Sequence, residues 1–330
     1  MKLWAIYFEP EDWVGFRETR RFSFSDRVES VFPSSFPFYG AVRTALLMKN
    51  QKFDPGDVER AGDVRMFGPF VFENTPEGRK HYFPLPRNIY KTDSGYRVTP
   101  IVEIDGVYLP WKPEYKMDSK ESTSGGLIEL SDLELLRSNT QGVCKFDLVS
   151  AEKIFKKETH IGVAFEENRK KVKERMIYSI SYYRFYDGGF FMFTDDERTV
   201  ELVSKLDGVF LGMKSKWSAV EVEELNTTAF DPPDYKNVAV ALITPAVFDG
   251  GGMPKDKTIL GKRVLTTAGI RKQVVSGWDL RENKPKKIYH AVSPGAVYYL
   301  EGKVNGHVLN ESKFTDFGFG RCIFMKYEKL

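Results

Sequence analysis

The sequence is poor in the residues that most chemistry needs. Two cysteines, Cys144 and Cys322, are too few for a disulfide framework and have no zinc-ligand spacing. A reducing cytoplasm is the simplest home for such a chain. Four histidines, His81, His160, His290 and His307, are scattered and form no paired metal motif. No run approaches the roughly 18 apolar residues of a membrane helix, so no membrane partner is expected. The apolar start, Leu3 to Phe8, soon meets Glu9, Glu11 and Asp12. It lacks the h-region and small-residue cleavage site of a signal peptide and reads instead as a first strand.

Catalytic motifs are missing too. The nearest phosphate-loop match runs from Gly251 to Lys257-Thr258, but Asp256 stands where the second glycine belongs. A carboxylate there repels phosphate. Asp316-Phe317-Gly318 spells the kinase metal motif without the glycine-rich and catalytic loops that must precede it. No nucleophile elbow is present. No metal or cofactor is expected, and the chain reads as a non-enzyme.

What is present is core-forming material and local positive charge. Of 330 residues, 42% are hydrophobic and 14% aromatic, which rules out global disorder and favours about two domains. The net charge is only +3, yet Met253 to His290 carries ten Lys or Arg against three acids. A solvated basic face and a nucleic-acid surface both fit that excess.

The coarse pattern is α+β. Ser35 and Pro37 open a helix to about Lys49, with Phe38, Ala41, Val42, Ala45 and Leu46 on one face. Residues 66–145 read as an insertion of short strands and loops, with a polar loop over 118–126 and a short helix after Ser131. Residues 176–193 predict a hairpin turning at Asp187-Gly188-Gly189. A helix over 197–206 follows, then strands over 238–244, 296–300 and 321–327. This order suits a ferredoxin-like layout, one sheet with helices on one face. The expected domains are 1–150, holding the insertion, and 151–330. Gly318-Phe319-Gly320-Arg321 is a turn that, as a ligand site, offers close backbone approach, a ring for base stacking and an arginine for phosphate.

Taken in order, these pieces resemble the third-subunit family of the Cmr complex, the type III-B CRISPR RNA-guided effector. The resemblance rests on Phe16 to Phe22, Glu29 to Ser34 and Gly40-Ala41-Val42-Arg43-Thr44-Ala45. It continues through Gly68-Pro69-Phe70, Tyr82 to Pro86, His160 to Val163 and Met176-Ile177-Tyr178. It closes on Leu242 to Phe248, Val275 to Leu280 with Lys284-Pro285, Ser293 to Tyr299 and Gly318-Phe319-Gly320. Two stretches depart from the family pattern: Met213 to Trp217, usually small or glycine-rich, and Ser293-Pro294-Gly295-Ala296, usually Pro-Ala-Gly-Ser.

The resemblance implies two ferredoxin-like (RRM-like) folds of the repeat-associated mysterious protein (RAMP) superfamily. It implies a subunit that holds the single-stranded 5′ tag of the crRNA and serves antiviral defence. The implied protein partners are the large polymerase-like Cmr subunit and neighbouring RAMP subunits. Read with the physics of single-stranded RNA, it predicts contacts at Arg17, Arg20 and Arg43 on the opening loop and first helix. It predicts others at Lys262, Arg263, Arg271 and Lys272, and at Gly318, Phe319, Gly320 and Arg321. Trp278 is a candidate stacking ring or a core residue. The crowded Phe22, Phe24, Phe32, Phe36 and Phe38 are candidates for a partner surface. Two other readings stay open: a RAMP-type endoribonuclease processing precursor crRNA through His160 or His290, and a scaffold with no direct RNA contact.

Overall fold

The first strand, β1 (Leu3–Pro10), is apolar on both faces because it is buried on both. Leu3, Ala5 and Tyr7 face one core, and Ile6 and Phe8 face another. In the computed structural model, which describes residues 2–17, 27–49, 64–111, 126–138, 143–165, 172–231, 234–279 and 284–330, the chain is mostly β with a few helices.

Helix α1 (Phe36–Lys49) follows and buries Phe38, Val42 and Leu46, as the spacing predicts. Strands β2 (Phe67–Thr75), β3 (Gly78–Pro84) and β4 (Leu127–Glu129) lead to α2 (Leu130–Ser138). Next come β5 (Phe155–Phe165), β6 (Val172–Phe185) and β7 (Gly188–Thr194). Helix α3 (Glu197–Val203) starts at Asp196, whose Oδ2 accepts from Thr199 N–H at 2.9 Å. Strands β8 (Gly208–Leu211) and β9 (Lys216–Leu225) complete a seven-stranded sheet ordered β8-β9-β1-β7-β2-β3-β4.

The second half adds β10 (Asn237–Leu242), β11 (Thr258–Ile259), β12 (Lys262–Ala268), β13 (Lys272–Val275), β14 (Tyr289–Val292), β15 (Val297–Glu301) and β16 (Cys322–Lys326). Five of these form a sheet ordered β11-β12-β15-β10-β16, and β13 pairs with β14 as a separate ribbon. One face of each sheet contributes to a shared core, with Tyr7, Phe70 and Phe191 from the first and Ala239, Tyr299 and Met325 from the second. Helices α1 and α3 cover the outer face of the first sheet. The outer face of the second is covered by loops carrying Phe248 and Leu309, together with Ile259 of β11.

Three sequence expectations change. Strands β7 and β9 flank β1, so the first sheet runs to Leu225 and crosses the expected boundary at 150/151. The segment 67–75 is a strand of that sheet, so the insertion lies between β2 and β7 rather than over 66–145. The hairpin over 176–193 does not form. Strand β6 pairs with β5, while β7 sits between β1 and β2. The glycines that mimic a turn serve a close approach instead. A Cβ at Gly188 would lie 2.2 Å from the Phe72 carbonyl oxygen, and one at Gly189 2.3 Å from that of Phe8.

Candidate nucleic-acid interface

The glycine-rich segment before β16 folds inward. Gly318 and Gly320 take positive φ, 79° and 70°. The backbone that Gly318 approaches is the chain's own: its Cβ would lie 2.5 Å from the Met66 carbonyl oxygen. Phe319 is 1% exposed and packs against Phe36 and Phe314, with ring centroids 5.3 and 5.7 Å away. In this conformation its ring cannot stack on a base, which corrects that expectation. The Arg321 side chain is 11% exposed and lies over the Phe67 ring, 4.2 Å from its centroid. It donates to His307 Nε2 at 2.7 Å and stands 3.9 Å from Asp195. Burial and the Arg321 charge push the His307 pKa down to about 4. Arg321 is thus engaged within the protein, joining the C-terminal strand to the first sheet.

The opening segment divides. Arg17 is exposed beside an isolated bridge to Ser30, and Arg43 is half-buried on α1. Arg20 lies outside the described residues, as do Phe22 and Phe24. Phe38 is core and Phe36 packs on the 314–319 loop, leaving Phe32 exposed.

The second-half cations do not form one patch. Lys262 and Arg263 begin β12, at the hairpin with β11, whereas Arg271 and Lys272 lie beyond its other end. Six residue steps of strand separate the ends of β12 by about 20 Å. Arg263, Arg271 and Lys272 are exposed, and Lys262 is half-buried against Gly302. The side chain of Trp278 lies outside the described set.

Sequence reasoning missed Arg87, which follows the Pro84-Leu85-Pro86 landmark in the insertion. Its Nη1 donates to the Gly269 carbonyl at 2.6 Å and its Nη2 to Ser293 Oγ at 2.9 Å, which brings it beside Arg271. The only local signal is an arginine after two prolines, and its partners lie about 180 to 200 residues away.

A second cluster gathers at the base of the β5–β6 ribbon. Trp13 packs 4.7 Å from His160 and 4.0 Å from Tyr182, with Lys216 Nζ 3.5 Å over its ring. Acids balance these cations. Asp12 pairs with Arg184 and Lys216, and Glu158 pairs with Lys156 and Arg184. Hydrogen bonds from Arg184 and Lys156 hold the Glu158 carboxyl well below the usual range, at about 2. His160 Nε2 lies 3.7 Å from Glu158. Among the described residues, no group of three or more His, Cys, Asp or Glu side chains is arranged to hold a metal, and no helix is long and apolar enough to cross a membrane.

This fold is shared with type III CRISPR effector proteins. A chain of the type III-B Cmr-beta complex bound to cognate target RNA and AMPPnP aligns over 89% of this chain and 86% of its own, with TM-score 0.56 and 14% identity. A chain of the same complex bound to cognate target RNA aligns over 90% and 86%, with TM-score 0.54 and 15% identity. The chain belongs to the CRISPR-associated protein family Cas_Cmr3, whose model matches residues 6–327. No curated protein matches it.

Proposed function

We propose that this chain is a non-catalytic subunit of a type III-B CRISPR effector that binds the 5′ tag of the guide RNA. Family membership across residues 6–327 is the observation that carries the reading. In this role it docks to the large polymerase-like subunit and to neighbouring RAMP subunits. The strand orders support the reading of two ferredoxin-like folds. Strands β9-β1-β7-β2 and β16-β10-β15-β12 both follow the pattern in which the fourth, first, third and second strands lie side by side. In the first, α1 and α3 fill the two crossovers; in the second, neither crossover holds an α-helix among the described residues.

The physical case is one of holding rather than cutting. Single-stranded RNA is gripped by cations at phosphates and by close backbone approach, neither of which needs an acid–base pair. The exposed Arg17, Arg263, Arg271 and Lys272 are suited to phosphates. His81 is buried and His307 half-buried, with pKa values pushed down to about 4, and both are poorly matched to acid–base work at neutral pH.

The test uses the chain co-purified with its neighbouring subunits. Affinity is measured for guide RNA with its 5′ tag and for the same RNA without it, and the RNA is then recovered. Tighter binding of the tagged guide and intact RNA are expected. Equal affinity for both removes the tag from the reading. Cleavage that stops in His160→Ala or His290→Ala makes the chain an endoribonuclease.

A further inference from the structure

We propose that Arg87, from the insertion, and Arg271, from the second half, together form a phosphate site for the sugar-phosphate backbone of single-stranded RNA. The inference rests on the RNA-holding role above and adds a site built between two distant parts of the sequence.

Arg87 is fixed before any ligand arrives. Its backbone N–H donates to the Gly295 carbonyl at 2.8 Å, and its guanidinium spans the Gly269 carbonyl and Ser293 Oγ. Both glycines make room for it. Gly269 has φ 64° and its Cβ would lie 2.3 Å from Arg87 Cβ; Gly295 has φ 86° and its Cβ would lie 3.3 Å from Arg87 Cγ. The Ser293-Pro294-Gly295 stretch that departs from the family pattern is therefore part of the cradle. Arg271 belongs to the same loop pair, since its carbonyl accepts from Ser293 N–H at 2.9 Å. Its side chain is exposed, as is that of Lys272.

The charge around this pair is what points outward. Burial and then the Arg271 charge hold Arg87 below the usual arginine range. Elsewhere arginines meet acids: Arg79 meets Glu221 and Glu223, and Arg184 meets Glu158 and Asp12. Among the described residues, no carboxylate forms an ion pair with Arg87, Arg271 or Lys272. Two neighbouring guanidinium groups without an acid are mutually repulsive until an anion is shared between them, and the guanidinium fork matches phosphate oxygens. Lys286 and Lys287 are exposed on the loop leading back into β14, at the end of the β13–β14 ribbon away from Arg271. Lys272 beside the pair, with Lys286 and Lys287 further along the same ribbon, fits a polymer of spaced phosphates better than one carboxylate.

The experiment uses the assembled effector subcomplex and a single-stranded guide RNA, with affinity measured across a salt series. Arg271→Gln should weaken binding several-fold and flatten the plot of log affinity against log salt by about 0.7, the share of one phosphate contact on a single strand. Arg87→Gln should do the same, and the double variant should flatten it by about twice that. Because Arg87 also braces a loop, Arg271→Gln is the deciding variant, with its thermal midpoint recorded as a folding control. Unchanged affinity and slope in Arg271→Gln, with wild-type complex binding RNA normally, overturn the site and leave the RNA-holding role standing. Loss of a protein subunit from Arg271→Gln complexes, with RNA affinity intact, assigns the pair to an acidic protein surface and also overturns it. Wild-type complex without RNA affinity sinks the role itself.

Discussion

Two regions of this molecule use the same residue types for opposite ends. At 318–321, glycines with positive φ and a following arginine lie against the chain's own first sheet, and Arg321 meets His307 and Phe67. At 269–295, glycines with positive φ admit Arg87, and the adjacent Arg271 faces solvent with no acid among the described residues. Glycine next to arginine therefore does not by itself mark a ligand site. What decides the outcome is what stands opposite. An acid and a ring, Asp195 and Phe67, turn Arg321 into a brace; neutral acceptors alone, as at Arg87, leave the charge available to an anion.

That contrast can be broken from the closed side first. Phe319→Ala removes a ring that is 1% exposed from a cluster with Phe36 and Phe314. It should cost about 3–5 kcal/mol of stability, read as a shift in the denaturation midpoint. A loss under about 0.5 kcal/mol, the size of an ordinary surface substitution, would mean that the segment is open rather than packed.

The pH dependence of stability is next in size. His307 and His81 have folded pKa values of about 4, below the unfolded value of 6.5. The folded state therefore binds protons less readily than the unfolded chain. Stability is full above pH 6.5 and falls as pH drops from 6.5 towards 4. The slope is up to about 1.4 kcal/mol per pH unit for each histidine. His307→Gln should remove its share of that slope. An unchanged slope would place His307 in solvent, and the Arg321 brace with it.

The open side gives smaller effects on stability and larger ones on binding. Arg271→Gln should leave stability within about 0.5 kcal/mol while flattening the salt dependence of RNA affinity. Arg43→Ala gives the smallest expected change in that dependence, because Arg43 already has interactions within the protein. Were Arg43→Ala to exceed Arg271→Gln, the main RNA path would follow the first helix instead of the 269–295 loops.

Much of the local structure was legible in the sequence. Helix α1 is written in Ser35, Pro37 and the spacing of Phe38, Val42 and Leu46. Strand β10 is written as an apolar run, because both its faces are buried. The pairing was not legible. Strand β1 finds its neighbours at 188–194 and 216–225, and no local pattern encodes so distant a partner. Asp187-Gly188-Gly189 has the composition of a turn, while the glycines are required by backbones on either side of β7. The candidate site was half legible for the same reason. The basic excess of 253–290 and the Gly-Phe-Gly-Arg motif were visible in sequence. Which arginine turns inward was not, nor was Arg87, since both depend on contacts across the fold.

The most direct test is ultraviolet crosslinking of a guide RNA carrying its 5′ tag in the assembled complex, with peptide mapping on this chain. Crosslinks from the tag region to peptides containing Arg87 and residues 262–292, with none at 318–321, are the predicted result. Crosslinks concentrated at 318–321, or none on this chain at all, would contradict the account.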